Sequence, residues 1–323
     1  MNPKPGFSLK LWCWLCLGFL AGFAHAGAII PLTPQTAAIS WAFDFDDNLM
    51  VLPTLLPLWS PSRHTERAVS TADWALMRKQ IGKPGPWAEY RVRSSDKYGT
   101  SRFVGDGMGD GINWFLHDVK LVVDEAPATW QGPMWSTFVS VMGNPVTEAS
   151  ATIITGRHHA PKTMLDGFEY LKGKGLIGDT PKEGNIFPVG DPAFSRRLGG
   201  SIDNASGAKA IVMGDLLDAI EAQPLPADMP EVDDPAGHGK GKFHLWNFSD
   251  DDYGNIEAAV STLSREVKAG KWKDIKISIS FTGLNRSDMK PNTVILTPNG
   301  GSRRALPSEV GEGVRIASSL RGA

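Results

Sequence analysis

The run Ser40-Trp-Ala-Phe-Asp-Phe-Asp-Asp-Asn-Leu-Met-Val-Leu52 constrains this chain more than any other segment. An apolar stretch leads directly into acids at Asp44, Asp46 and Asp47, and apolar residues resume at Leu49. Aspartate is a poor strand former. Carboxylates crowded at the end of a buried strand repel one another and lose their hydration. A fold keeps such a cluster where a cation or a positively charged partner compensates it. The segment therefore predicts a buried strand that ends in a cation-assisted site.

The chain has 323 residues, room for one large or two ordinary domains with real cores. Its 41% hydrophobic and 21% charged content is that of an ordinary globular protein. The formal net charge of −2 gives no clear nucleic-acid patch, because long polyanions are bound through clustered Lys and Arg. Lys4 and Lys10 precede an uncharged run over 11–23, and Ala24-His25-Ala26 follows as a small-x-small site. This is the layout of a signal peptide cleaved after Ala26; the apolar run is shorter than the roughly 20 residues a membrane span needs. The expected division is a leader over 1–26 and a mature domain over 27–323, periplasmic or secreted. Cys13 and Cys16 both fall in the leader, so the mature chain is expected to have neither disulfides nor thiolate metal sites.

Apolar runs predict strands over 39–45, 151–154, 243–248, 274–281 and 293–296, with a further short strand over 120–123. Residues 49–59, broken by Pro53 and Pro57, predict an edge hairpin. Ser70 offers a helix N-cap ahead of a short helix over 74–81. Longer helices are expected over 161–172, 206–220 and 254–269. Strands separated by helices imply a parallel α/β sheet. In such a sheet, ligands bind beyond the carboxyl ends of the strands. Asp44 and Asp46, Thr155, and Asp250 and Asp251 are then expected to converge.

Three of these segments resemble the motifs of the haloacid dehalogenase (HAD) superfamily of phosphatases and phosphotransferases. Asp44-Phe-Asp-Asp-Asn-Leu49 is similar to its first motif, Asp-x-Asp-x-Thr followed by an apolar residue, with Asn48 in place of Thr. Ile153-Ile-Thr-Gly156 resembles the second motif. Phe248-Ser-Asp-Asp-Asp-Tyr-Gly-Asn255 resembles the fourth, paired acids after a strand. The resemblance implies a Rossmann-like parallel sheet with helices on both faces. It implies Asp44 as nucleophile, forming an aspartyl-phosphate, and Asp46 as general acid and base. It places Mg²⁺ among Asp44, the backbone carbonyl of Asp46, and Asp250 with Asp251. Thr155, Gly156 and Arg157 would meet the substrate phosphate, and a lysine would balance charge. Lys209 fits that lysine best; Lys240 and Lys242 are the alternatives. About a hundred residues separate the first two motifs where a βα connection normally takes only a few. By the resemblance, this stretch over about 52–148 is a cap or flap.

The implied activity is hydrolysis of a small phosphorylated substrate. The alternatives are a phosphotransferase, a phosphatase of nucleic-acid ends, or a non-catalytic binding protein with the same fold. Asp47 and Asp252 are expected to be bystanders, Asp252 solvated. His117, His238 and His244 lack a recognisable zinc spacing. Arg157, with His158, is expected at the mouth of the site. The glycine-rich run 105–111 lacks the lysine of a phosphate loop and is expected to be a turn.

Overall fold

The computed structural model describes residues 38–92, 111–191, 205–283 and 292–321, with Phe194 and Leu198 between them. The expected leader and most of the glycine-rich run lie outside the described residues. No helix among the described residues is long and apolar enough to cross a membrane.

Along the chain, β1 (Ile39–Phe43) is followed by β2 (Leu55–Ser60), β3 (Thr65–Ser70), α1 (Thr71–Met77) and β4 (Arg91–Val92). Three helices come next: α2 (Trp114–Val122), α3 (Pro127–Trp130) and α4 (Trp135–Met142). Then come β5 (Ala151–Thr155), α5 (Pro161–Gly173), β6 (Ile186–Pro188) and α6 (Ala205–Glu221). A short hairpin of β7 (Val232–Asp233) and β8 (Lys240–Gly241) precedes β9 (His244–Asp250) and α7 (Tyr253–Lys268). The chain closes with β10 (Ile275–Phe281), β11 (Asn292–Leu296), β12 (Ser302–Arg304) and α8 (Glu312–Arg321).

The main sheet runs β12-β11-β10-β9-β1-β5-β6. Its β10, β9, β1, β5 and β6 pair in parallel, and β11 and β12 form an antiparallel edge. The chain steps outward from β1 to β5 and β6, then returns to β9 and β10 on the other side. Strand order thus reverses between β1 and β9, which is where an open α/β sheet has its crevice.

Alternation along the strands divides the core into two layers. Trp41, Phe43, Ile153 and Leu245 pack with residues of α2, α4, α5 and α8. Ala42, Ile154, Trp246 and Phe248 pack with α6 and α7. The result is a mixed α/β protein with a mostly parallel sheet flanked by helices. At the antiparallel edge, Lys276 on β10 is buried against Glu309 and Glu312 at 2.8 and 2.9 Å. Arg303 on β12 grips the same Glu309 through two nitrogens. These pairs hold the last helix to the sheet.

Several elements differ from expectation. Residues 120–122 are helical, not a strand, and Val123 follows as the C-cap. Asn113 caps α2 by accepting a hydrogen bond from the Leu116 amide, and Phe115 and Val119 form its buried face. The helical period over this longer window overrides the β-branched pair Val122-Val123. The expected edge hairpin is real only from Leu55, and β2 is the middle strand of a small β3-β2-β4 sheet. Pro57 lies opposite Ala68 of β3, and β4 pairs only with Leu58 and Trp59.

The long stretch between the first two motifs is not one body. Residues of β2, β3 and α1, with Tyr90, form their own apolar cluster of Leu56, Leu58, Val69, Met77 and Tyr90. In contrast, α2, α3 and α4 contribute Phe115, Trp130 and Phe138 to the main core.

Gly132 marks the contact between this second part and the acidic loop. Its amide donates to the Leu49 carbonyl at 2.8 Å, and the Met134 amide donates to the Asn48 carbonyl at 3.0 Å. A Cβ at Gly132 would stand 2.3 Å from the Asn48 carbonyl oxygen. Backbone, unlike the tip of a side chain, yields only by moving the loop. We expect Gly132→Ala to cost about 1–3 kcal/mol of stability in urea unfolding, the range for overpacking. Gly173→Ala, on α5 with nothing near its added Cβ, is expected to be neutral or stabilising by up to about 1 kcal/mol. Equal effects at the two sites would refute this account.

Candidate active site

The ladder between β1 and β9 runs one residue past β1, the Asp44 amide donating to the Ser249 carbonyl at 2.9 Å. The chain then turns sharply, with Leu49 and Met50 amides both donating to the Phe45 carbonyl. Asp47 sits in the turn at φ 56°, a left-handed conformation that Asp tolerates better than most residues. Asn48 fixes the turn. It is fully buried, its Nδ2 donates to the Asp44 carbonyl at 2.8 Å and to Ser249 Oγ at 3.0 Å, and its Oδ1 accepts from Thr282 Oγ1 at 2.8 Å. One side chain thus joins the ends of β1, β9 and β10.

Across the switch point, β9 ends at Asp250, which is completely buried. Its Oδ1 accepts from the Asp252 amide at 2.8 Å, and Asn255 Nδ2 reaches both oxygens at 3.1 and 3.0 Å. Asp252 is not solvated. It is buried, it caps α7 by accepting from the Gly254 amide, and it pairs with Arg78 Nε at 2.5 Å. A capping carboxylate at a helix N-terminus is stabilised by the dipole and the free amides. Gly283 lets the end of β10 approach, since a Cβ there would stand 2.0 Å from the Asp251 carbonyl oxygen.

Lys209, on the buried face of α6, reaches into this gap. Its Nζ donates to Asp44 Oδ1 and to Asp250 Oδ2, each at 2.7 Å. Burial alone would favour loss of its proton, but the charges of Asp250 and Asp44 outweigh that and hold its pKa above the ordinary lysine range. One cation faces several acids. Carboxylate oxygens of Asp44, Asp250 and Asp251 all lie within 4.8 Å of one another. Burial first, then the charges of Asp250 and Asp46, push Asp44 up to about 8 despite the opposing pull of Lys209. Burial likewise raises Asp250. Burial, and then the charges of Asp44, Asp250 and Asp47, raise Asp251 well above the usual carboxylate range. Three oxygen donors with excess negative charge suit a hard divalent cation.

Asp46 stands apart from this set. Its carboxylate is gripped by Arg157, Nη2 at 2.6 Å and Nε at 3.1 and 3.0 Å. Arg157 was expected at the mouth as a phosphate contact; it is instead fully buried, its charge engaged by Asp46. Thr155, at the end of β5, is also fully buried, and its Oγ1 accepts from the Arg157 amide at 3.3 Å. Gly156 follows, with its carbonyl against Gly190. Of the candidate lysines, Lys240 lies exposed in the β7–β8 hairpin, and Lys242, also exposed, donates to the Ala227 carbonyl at 2.5 Å. Lys209 alone of the three contacts the acids. His159 is buried beside Phe115; burial and then the Arg157 charge lower its pKa to about 2, which keeps it neutral. No histidine belongs to the acidic cluster among the described residues.

Residues the sequence did not single out also border the cluster. Arg78, at the end of α1, donates through Nη2 to Ser206 Oγ at 2.9 Å and to Asn255 Oδ1 at 3.0 Å. Thr54 and Asp118 stand behind Arg157. Fold and site together define a mostly parallel α/β protein with a buried acid and lysine cluster at its switch point. Comparison with protein-family models, with curated proteins and with solved structures gives no match. The functional reading therefore rests on the site.

The raised pKa of Asp44 has a testable consequence. Unfolded, the group titrates near its ordinary 3.8; folded and free of metal, near 8. Between these values the folded state holds the extra proton, so this contribution to stability is greatest below the lower value and is lost as pH rises through the upper one. In chelator, the urea midpoint is expected to fall between pH 5 and pH 8. Asp44→Asn, which has no such proton, is expected to make that fall shallower. An unchanged pH slope in the variant would refute the assignment.

Proposed function

We propose that the protein is a divalent-metal-dependent phosphomonoesterase, exported as its N-terminal sequence suggests, with Asp44 as nucleophile. The observation that carries this reading is the convergence of Asp44, Asp250, Asp251 and Lys209 at the switch point of the sheet. Phosphoryl transfer asks a protein mainly for positioning and for positive charge around the transferring group. Lys209 supplies one such charge beside the attacking carboxylate.

Asp44 Oδ1 is held by Lys209, which leaves Oδ2 to attack phosphorus. The bond to the leaving oxygen breaks and a proton from Asp46 passes to that oxygen. Water then attacks the aspartyl-phosphate and gives its proton to Asp46, releasing inorganic phosphate and restoring Asp44. Asp44, Asp250 and Asp251 are the residues that would hold Mg²⁺. When bound there, the ion supplies the charge that keeps Asp44 ionised and offsets charge on the phosphoryl oxygens. Thr155 and Gly156, at the end of the neighbouring strand, border the place where those oxygens would lie. The small β2–β4 sheet with α1 would be the cap that selects a small phosphorylated substrate, with Arg78 as its contact to α6 and α7.

A second reading is a non-catalytic binding protein. The engagement of Asp46 by Arg157 favours it, since both carboxylate oxygens already meet the guanidinium. A phosphotransferase would use the same acids with an acceptor alcohol in place of water. Hydrolysis of an aryl phosphate with Mg²⁺ distinguishes these. Activity is expected that chelator abolishes and that Asp44→Asn lowers by at least about a thousandfold, as for loss of a covalent nucleophile. Undiminished activity in Asp44→Asn would remove the nucleophile assignment, and no turnover across a panel of phosphate esters would favour the binding protein.

A further inference from the structure

We propose that Thr54 and Asp118 are positioning residues for Asp46, acting through Arg157. This rests on the phosphomonoesterase reading and adds to it two residues that no motif contains.

The hydrogen-bond directions are fixed by chemistry. A guanidinium can only donate, and a carboxylate in its ionised form can only accept. Arg157 Nη2 donates to Asp46 Oδ1 at 2.6 Å and also to Thr54 Oγ1 at 2.9 Å. The Thr54 hydroxyl, accepting there, gives its one proton to Asp118 Oδ2 at 2.8 Å. The chain of donors therefore leads from Thr54 to Asp118 on one side, and from Arg157 to Thr54 and Asp46 on the other. Thr54, Asp118 and Arg157 are all buried, with Arg157 and Asp118 at 0% exposure. At that depth an unsatisfied polar group is costly, so loss of one link propagates to the next.

The guanidinium is also confined by rings. Its carbon stands 5.2 Å from the centre of the Phe115 ring and 5.8 Å from that of Phe45, within cation–π range. Phe115 and Asp118 are three residues apart on α2, so one helix supplies a ring to the arginine and an acid to the hydroxyl that the arginine meets. Arg157 has little freedom to turn, and the carboxylate that it grips by two nitrogens inherits that orientation. Asp46 lies in the acidic loop, Arg157 follows β5, and Thr54 and Asp118 come from the stretch between them. An acid whose carboxylate must meet a leaving oxygen depends strongly on such placement, since small displacements of a catalytic group cost rate steeply.

The test uses the dependence of acid catalysis on the leaving group. An alkyl phosphate expels a strongly basic oxygen and needs the proton from Asp46. A nitrophenyl phosphate expels a weakly basic one and needs it far less. With Mg²⁺ present, kcat/KM on the two esters is compared for wild type, Thr54→Val, Thr54→Ser and Asp118→Asn. Thr54→Val keeps the shape and removes the hydroxyl; it is expected to lose about tenfold more on the alkyl ester than on the aryl ester, at the low end of general-acid effects. Thr54→Ser restores the hydroxyl and is expected to return both rates to near wild type. Asp118→Asn is expected to shift the ratio in the same direction as Thr54→Val, and it carries the test should Thr54→Val fail to fold. Equal losses on the two esters in folded variants, or no loss, overturn the positioning role alone. Wild-type protein that cleaves neither ester overturns the phosphomonoesterase reading and this role with it.

Discussion

One ammonium group between two buried carboxylates organises this molecule. Lys209 touches both Asp44 and Asp250, and these acids stand at the ends of β1 and β9, the parallel neighbours between which the strand order reverses. Without that cation, like charges would face each other across the switch point with little water to screen them. The contact also joins α6 to β1 and β9, so the layer of α6 and α7 is tied to the sheet by charge as well as by apolar packing. Removing either partner would leave a buried charge without its counterpart, a change that commonly costs about 3–5 kcal/mol. Yet one lysine does not balance the cluster. Burial first, and then the neighbouring charges, raise the pKa values of Asp44, Asp250 and Asp251, three acids whose oxygens lie close enough together to hold a cation.

Around that cluster the backbone is held closely. Asn48 connects three strand ends, Asn255 holds Asp250 from α7, and Gly132 and Gly283 admit neighbouring chain where a Cβ would collide with it. The acids therefore stand on strand ends and cap positions rather than on free loops. Sites supported in this way keep their geometry more accurately than those on loops alone. Asp251 is the exception. It is less enclosed than Asp44 or Asp250.

Much of this was legible in the sequence, for identifiable reasons. Buried parallel strands read as apolar runs, so β1, β5, β9 and β10 were found to within about two residues, the usual boundary error. Asp44 and Asp250 stood out because acids are costly at such strand ends. Lys209 could be preferred to Lys240 and Lys242 through the resemblance, which implies a lysine near a helix start, whereas they sit in a glycine-rich loop. What escaped was set by distant partners. Arg78, Thr54 and Asp118 carry no local signal, because their roles come from contacts with Asn255, Arg157 and one another across the fold. Arg157 was misplaced to the mouth since its sequence neighbour Thr155 ends a strand, while the burial of its side chain depends on Phe45, Phe115 and Thr54. Strand β6 is only three residues long, and α8 was missed because its packing against β1 is tertiary.

The two acids of the first motif are thus secured by different parts of the chain. Asp44 is held by α6 and β9, elements of the main α/β body. Asp46 is held by Arg157, which in turn leans on Thr54 and on α2, elements between the first two motifs. This division has a chemical logic under the phosphatase reading. The attacking group meets the same phosphorus in every substrate and gains from an invariant support. The group that serves the leaving oxygen meets the variable part of the substrate. Its support lies in the stretch that also forms the small sheet and carries Arg78. Under that reading, changes around Thr54 and α2 would bear on the leaving group before they bear on the attack, whereas Gly132 and Arg78, from the same stretch, reach the acidic loop and the partners of Asp250.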